Sequence, residues 1–364
     1  MLKTAKHWVA AYLVVVLLLL IGVGSLTVAI DPYFHYHKPL ESIYYALSNQ
    51  RSQNDGILKH FDYDAIITGT SMAENFKASE CNEIFGVNAI KVCFSGASYK
   101  EINDNLKVAF RHNEDIKMIV RALDTGMILA DKDKMRYDLG EYPTHLYDDN
   151  LFNDVKYVFN KEILFSLSVP LLEGYMKGIE GGITDFDSYS NWMRSCTFGK
   201  NTVLENVAFF EEPTENKVLT DEERKMIQDN IEQNVIALAQ AHPETEFYYF
   251  FTPYSAVWWG DMYQKGYLER QIEAEKYAIE LILDCENIKL FSWNNRFEII
   301  TDLNNYKDLS HYGEWINSLI LNEMDEEKNI LTWENYGAYI EDMKTFYSTF
   351  DYNSLFEQYD DPEM

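Results

Sequence analysis

A serine and an Asp-x-x-His pair are the residues of this chain whose types and positions favour nucleophilic catalysis. Ser71 lies two residues after an apolar run that ends at Gly69. At that point of an open α/β sheet, a serine presents its Oγ at the edge where such sheets bind ligands. The backbone N–H groups of the segment after it, predicted to open a helix, can stabilise a developing oxyanion. The alternative is a serine that only caps a helix.

The sequence Asp308-Leu309-Ser310-His311 supplies the partner groups that a nucleophilic serine needs. An acid three residues before a histidine can hold the Nδ1–H of the imidazole, which leaves Nε2 able to take a proton from serine. The motif follows the last predicted strand and opens the last core helix, which again places it at the ligand-binding edge. The alternative is an aspartate that caps a helix beside a surface histidine.

Five short apolar runs predict the strands that position these residues. Their bounds are 64–69, 89–94, 117–123, 246–252 and 288–293. Helical patterns lie between most of them, and two begin with capping boxes, at Ser98–Glu101 and Thr220–Glu223. This alternation predicts an α/β fold with a parallel sheet of about five strands and helices on both faces. Residues from about 130 to 210 break the alternation, and we expect an insertion between strands 3 and 4 that covers the ligand edge.

These landmarks resemble the SGNH (GDSL-type) hydrolase superfamily over roughly residues 60–125 and 245–320. Gly69-Thr70-Ser71 is similar to the first block of that superfamily, although many members have Asp in place of Thr70. Gly96 stands where the second block has its glycine, and Asp308 with His311 is similar to the fifth. The resemblance implies a three-layer α/β/α, flavodoxin-like fold with a Ser71–His311–Asp308 triad. It also implies that the N–H groups of Ser71 and Gly96 bind the oxyanion.

The third block departs from the superfamily pattern. Its usual Asn should follow the third strand, where this chain has Asp124. A carboxylate accepts hydrogen bonds and donates one only when it is protonated, so Asp124 does not replace the Asn as an oxyanion donor. Asn75, on the first turn after Ser71, and Arg121 are the candidates for this third donor.

The amino terminus predicts a membrane anchor. Residues 8–30 form a segment without charged side chains. This segment is long enough for a helix that spans the hydrocarbon core, and it is longer than the apolar core of a usual signal peptide. Lys3 and Lys6 precede the span, so residues 1–7 are expected in the cytoplasm and the remainder outside. We expect a juxtamembrane segment at 31–59, an SGNH-like domain at 60–320 and an acidic, aromatic C-terminal extension at 321–364.

Composition limits the ligands that the chain can bind. The net charge of −28 disfavours nucleic acid as a partner, because the phosphate backbone would be repelled. No strong metal or nucleotide signature is present, so no cofactor is expected. His35 and His37 could bind a metal ion, but polar contacts of the juxtamembrane segment are the favoured interpretation. The four cysteines are expected to be buried thiols, with disulfides as the alternative.

The arrangement also resembles membrane-anchored SGNH proteins of bacterial envelopes, namely the teichoic acid D-alanyl transfer protein and the AlgX/AlgJ-like polysaccharide O-acetylation proteins. The resemblance implies a serine esterase or O-acyltransferase that acts on a cell-surface glycan or polymer, with a membrane-embedded protein as acyl donor. Trp258 and Trp259 could stack on sugar rings, and core packing is the alternative for both. The alternative function is a non-catalytic SGNH-fold protein that binds glycan or acts as a scaffold.

Overall fold

The computed structural model describes residues 2–139 and 142–357 and shows a mixed α/β fold with about half of the chain in helices. The chain divides into two units. Unit 1 comprises Met1–Phe61, Arg111–Asn113 and Glu141–Asp185, and unit 2 comprises Asp62–Phe110, Glu114–Gly140 and Phe186–Met364. The segment predicted as an insertion is therefore divided, because residues 141–185 belong to unit 1 and its two ends belong to unit 2.

The described residues form eight strands. In chain order they are β1 (Tyr44–Tyr45), β2 (Ala65–Thr68), β3 (Ala89–Lys91), β4 (Met118–Leu123), β5 (Gly182–Ile183), β6 (Glu246–Phe251), β7 (Ile288–Ser292) and β8 (Ile330–Leu331). β1 and β5 pair in parallel within unit 1. The other six strands form the sheet of unit 2.

The sheet of unit 2 has the strand order β3-β2-β4-β6-β7-β8. Its first five strands are parallel, and β8 pairs antiparallel with β7. This confirms the predicted mostly parallel sheet, and the five parallel strands lie within the predicted runs. β2, β3 and β4 are buried along their whole length, as expected for parallel strands covered on both faces. The antiparallel edge strand β8 was not predicted, because two residues are too few to show an alternating pattern.

Fourteen α-helices occur in the described residues. They are α1 (Leu2–Ile30), α2 (Gln50–His60), α3 (Ala78–Phe85), α4 (Tyr99–His112), α5 (Val155–Val158), α6 (Val169–Met176), α7 (Lys200–Val203), α8 (Asp221–Ile231), α9 (Ala237–Ala241), α10 (Ala256–Gln264), α11 (Leu268–Ile282), α12 (Phe297–Ile300), α13 (Glu314–Asp325) and α14 (Tyr336–Thr349). Both predicted capping boxes form, at Ser98–Glu101 before α4 and at Thr220–Glu223 before α8. A π-helical turn, Glu232–Ile236, joins α8 to α9.

The helices of unit 2 form two groups around the sheet. α3 contacts α13, whereas α11 contacts α8 and α14. If the crossovers between the parallel strands are right-handed, as is usual, these groups lie on opposite faces of the sheet. The predicted C-terminal extension begins inside α13, adds β8 to the sheet and packs α14 on α11, so its boundary at residue 320 does not separate it from the domain. Residues 358–364 lie outside the described part of the chain.

Among the described residues, one helix is long and apolar enough to cross a membrane, Ala5–Ile30 within α1. Most of its side chains are exposed, which distinguishes it from the core helix of a folded domain. A helix of this length and composition at an amino terminus serves either as a membrane span or as a signal sequence.

Candidate active site

The turn that presents Ser71 begins directly after β2. Gly69 has φ +150, and a Cβ there would lie 2.8 Å from the Cβ of Ala122 and 2.9 Å from that of Ala73, so no larger residue fits without displacement. The predicted helix start at Ser71 is wrong in detail, because residues 71–75 form consecutive turns and α3 begins only at Ala78. Ser71 therefore lies at the carboxyl edge of the sheet, on a short loop rather than on a helix.

The structure brings Ser71, His311 and Asp308 together across 240 residues of sequence. The Oγ of Ser71 lies 2.7 Å from the Nε2 of His311. On the other side of the ring, Nδ1 lies 2.8 and 2.9 Å from the two carboxylate oxygens of Asp308. When Nδ1 carries the proton, it donates a hydrogen bond to the Asp308 carboxylate, and Nε2 then accepts the hydrogen bond from the hydroxyl of Ser71.

The carboxylate of Asp308 is held in its charged form. It accepts hydrogen bonds from the backbone N–H groups of Ser310 at 3.0 Å and His311 at 2.9 Å. Partial burial acts to raise its pKa, but the hydrogen bonds and electrostatic attraction of His311 outweigh this and lower the pKa to about 2. Asp308 is therefore ionised at neutral pH and can stabilise the imidazolium that forms when His311 takes a proton.

A buried hydrogen-bond network lies beneath the serine turn. The hydroxyl of Thr70 donates to Asp124 Oδ2 at 2.7 Å and accepts the N–H of Met72 at 3.3 Å. Tyr254 donates to Asp124 Oδ1 at 2.7 Å. Burial raises the pKa of Asp124, and these two hydroxyls partly offset that effect. Both carboxylate oxygens of Asp124 thus accept hydrogen bonds. Asp124 therefore positions the turn that carries Ser71, and it does not donate a hydrogen bond to a reacting group.

Two backbone amides are available as oxyanion donors. Within the described residues, no acceptor takes the N–H of Ser71 or Gly96. The N–H of Phe94 bonds the carbonyl of Gly69 at 2.9 Å, which holds the turn containing Gly96 beside the serine turn. Gly96 has φ +63, and its carbonyl accepts from the guanidinium of Arg136, which fixes the orientation of this peptide.

Asn75 offers a third donor. Its Oδ1 accepts the backbone N–H of Trp192 at 3.2 Å, and the indole N–H of Trp192 donates to the carbonyl of Ser71 at 3.0 Å. The carboxamide is therefore held close to the nucleophile. Its Nδ2 is buried, and no partner for it occurs among the described residues. A buried amide donor without a partner costs roughly 1–3 kcal/mol, and this donor is free to bond a ligand oxygen.

Trp192 and Lys307 are site residues that sequence reasoning missed. The ring of Trp192 meets that of His311 edge to face, with centroids 5.6 Å apart, and Lys307 Nζ lies 3.8 Å from the Trp192 ring centroid. Beside them runs an open groove of about 510 Å³. It is lined by Ser195, Cys196, Thr197, Asn201, Thr202, Glu205 and Lys307. No motif or spacing marks Trp192, which lies in the irregular segment before α7.

Two other predicted contacts are corrected by the structure. Trp259 is fully buried and stacks on Tyr347, so it belongs to the core and has no face for a sugar ring. Trp258 is half-buried and packs edge to face on Tyr254. Arg121 is also fully buried, where its guanidinium donates to the carbonyls of Asn234 and Tyr99, so it cannot reach an oxyanion.

The described residues contain no cluster of three or more side chains suited to a metal ion. His35 pairs with Asp154 at 3.3 Å, and both ring nitrogens of His37 face backbone carbonyls, so neither imidazole is directed at a shared ion. No disulfide joins the four cysteines, all of which are described. Cys81, Cys93 and Cys285 are buried, and Cys196 is half-buried.

Comparison with known proteins gives little beyond the geometry. No protein-family model matches the sequence, and no curated protein matches it. A solved structure from Streptococcus pneumonia, which carries the provisional name platelet activating factor, is similar with a TM-score of 0.36 and 11% identity. The match covers 76% of this chain and 89% of that chain. A similarity at this level supports no conclusion about fold or activity.

Proposed function

We propose that this protein is a membrane-anchored serine esterase or O-acyltransferase that acts on ester-linked acyl groups, with acetyl as the expected group. The observation that supports this most directly is the continuous relay from Ser71 Oγ through both ring nitrogens of His311 to Asp308. Such a relay raises the nucleophilicity of a hydroxyl that is otherwise inert at neutral pH. A protein that only binds glycan has no need of all three groups in hydrogen-bonding contact.

The reaction follows from the positions of these groups. As Ser71 Oγ bonds the ester carbonyl carbon, its proton moves to His311 Nε2, and the carbonyl oxygen becomes an oxyanion bound by the N–H groups of Ser71 and Gly96. Collapse of this intermediate breaks the ester C–O bond, and the leaving alcohol takes the proton from His311. Water or a sugar hydroxyl then attacks the acyl-serine by the same steps, which gives hydrolysis or acyl transfer respectively.

The substrate class and location are part of the proposal. The groove next to Trp192 is lined by hydrogen-bonding side chains together with apolar surface, a combination that suits sugar rings, so we assign a cell-surface glycan or polymer as substrate. Because Lys3 and Lys6 favour retention of the amino terminus in the cytoplasm, we assign the site to the extracytoplasmic side of the membrane. A membrane-embedded acyl-donor protein is the partner that the family resemblance implies.

Covalent labelling of the full-length protein with a fluorophosphonate tests the proposal. We expect labelling of the wild type and loss of labelling in Ser71→Ala and His311→Ala. Ser310→Ala is the matched control, because the Ser310 hydroxyl lies beside Asp308 and His311 Nδ1 but has no nucleophilic role. A folded wild type that resists labelling would contradict the enzyme proposal and favour the non-catalytic, glycan-binding alternative.

A further inference from the structure

The end of α1 is tied to α5 by one buried carboxylate. Asp31 accepts the backbone N–H groups of Tyr36 at 2.7 Å and His37 at 3.0 Å. The hydroxyl of Tyr157, in α5, also donates to Asp31 at 2.7 Å and accepts the N–H of Tyr33 at 3.2 Å. The level of α5 along the axis of α1 is therefore fixed within unit 1.

From Tyr157 the chain continues alongside the apolar helix. A Cβ placed on Gly24 would lie 3.3 Å from Val158 Cγ1 and 3.6 Å from Phe159 Cζ, so these side chains pack directly on α1. Gly24 lies six residues before Ile30, which is about 9 Å along the helix axis. Val158 and Phe159 thus reach about two helical turns back from the point where α1 ends.

The length of the apolar segment decides where that contact lies. A span needs about 20 apolar residues, and 20 residues counted from Trp8 end at Thr27. If the membrane ended before Gly24, only 16 uncharged residues from Trp8 would remain, about 24 Å of helix for a core about 30 Å thick. Gly24 therefore lies within the hydrocarbon, and so do the side chains packed against it.

The surface around this contact is apolar on its outer side as well. We call residues 151–179 the apolar flank. Its exposed large side chains include Leu151, Phe152, Val155, Phe159, Phe165 and Met176, of which Phe152 is 94% exposed. The flank has three lysines and three acids, in a chain whose net charge is −28. A groove of about 770 Å³ runs between the flank and α1, lined by Leu17, Leu20, Ile21 and Phe159 among others.

We propose that the apolar flank is a second membrane-embedded element, whose exposed side chains and groove are covered by lipid acyl chains of the leaflet next to unit 1. The inference rests on the proposed membrane location of α1 and is independent of catalysis. Exposed apolar side chains continuous with a membrane span, on a segment without net charge, are the features of an interfacial element. Lys161, two residues after Phe159, is then expected to extend to the headgroups.

Depth-dependent fluorescence quenching tests this in the full-length protein reconstituted in phospholipid nanodiscs. The background variant is Cys196→Ser, because the other three cysteines are buried and burial raises the pKa of their thiols. Single cysteines at Phe152, Phe159, Lys161 and Leu18 receive an environment-sensitive dye. Lipids with a nitroxide on the acyl chain or on the headgroup serve as quenchers.

Labels at Phe152 and Phe159 are expected about 5–10 Å below the headgroups, quenched mainly by the acyl-chain nitroxide. The label at Lys161, the matched polar position, is expected at headgroup level. Quenching at Leu18 without acyl-chain quenching at Phe152 and Phe159 overturns this inference alone, and it would indicate that protein or water covers the flank. Absence of quenching at Leu18 overturns both the membrane anchor and the inference, whatever the outcome of the fluorophosphonate assay.

Discussion

Replacing Asn75 with alanine tests whether its buried amide binds the oxyanion. The Nδ2 group has no partner among the described residues, so its removal leaves the Nδ2 side of the fold unchanged. The Oδ1 contact with the Trp192 N–H is lost, which costs roughly 1–3 kcal/mol of folding free energy. Loss of one oxyanion donor costs about 2.7–4 kcal/mol of transition-state stabilisation, so kcat should fall by roughly 10²–10³.

Asn317→Ala provides a matched control for Asn75→Ala. Asn317 is buried, and its Nδ2 donates to the carbonyl of Met72 at 3.2 Å, so it holds the same turn from α13. Its removal costs one buried hydrogen bond but no oxyanion donor. We expect both variants to lose similar stability, while Asn317→Ala retains kcat within about threefold, since it removes no interaction of the transition state.

The assay is burst kinetics with an activated acetyl ester, which measures acylation of Ser71 separately from turnover. A fall in the acylation rate at saturating substrate, with KM little changed, is the result expected for Asn75→Ala. Equal losses of kcat in Asn75→Ala and Asn317→Ala would show that Asn75 only supports the turn. An unchanged kcat in Asn75→Ala would refute the assignment of a third donor.

Three further changes have defined outcomes. Thr70→Val leaves Asp124 Oδ2 and the Met72 N–H without their partner. Thermal melting should show a loss of about 1–3 kcal/mol of folding free energy, and fluorophosphonate labelling should slow. Unaltered labelling would contradict a positioning role for Thr70. Trp192→Phe removes the indole hydrogen bond to the carbonyl of Ser71, so it should slow fluorophosphonate labelling at little cost in stability. An unchanged labelling rate would exclude Trp192 from the site. Burial raises the pKa of Glu275 to about 7, so this residue alone should lower the free energy of unfolding by about 3 kcal/mol as pH rises from 4.5 to 7. Denaturant titrations should therefore show a smaller fall in Glu275→Gln than in the wild type, and an equal fall would refute this cause.

The sequence was sufficient to predict the placement of Ser71 because it follows the end of β2, and that of Asp308 and His311 because they lie between β7 and the start of α13. Parallel strands bring their carboxyl ends to one edge, so residues 240 positions apart become neighbours without any local signal that links them. The strands themselves were predictable because they read as continuous apolar runs. Their exact ends were not, since β2 ends at Thr68 and Gly69 has left the strand with φ +150, in close contact with Ala73 and Ala122.

Trp192 could not be predicted, because its role depends on tertiary contacts and not on a sequence pattern. It lies 121 residues from Ser71, in a segment with neither helical nor strand periodicity. The two adjacent tryptophans show the converse difficulty. Trp258 and Trp259 lie on one helix, α10, where consecutive positions point about 100° apart, so one is fully buried and the other only in part.

The departure at Asp124 and the unpaired amide of Asn75 have one physical explanation. In the superfamily that the chain resembles, the residue after the third strand donates a hydrogen bond to the substrate, but Asp124 accepts from Thr70 and Tyr254. Asp124 thereby rigidifies the turn that carries Ser71 and Asn75. A buried donor without a partner carries a desolvation cost that no contact within the protein offsets. A substrate oxygen that accepts this hydrogen bond would offset the cost of burying the Asn75 amide, and the Asn75→Ala experiment tests for that bond.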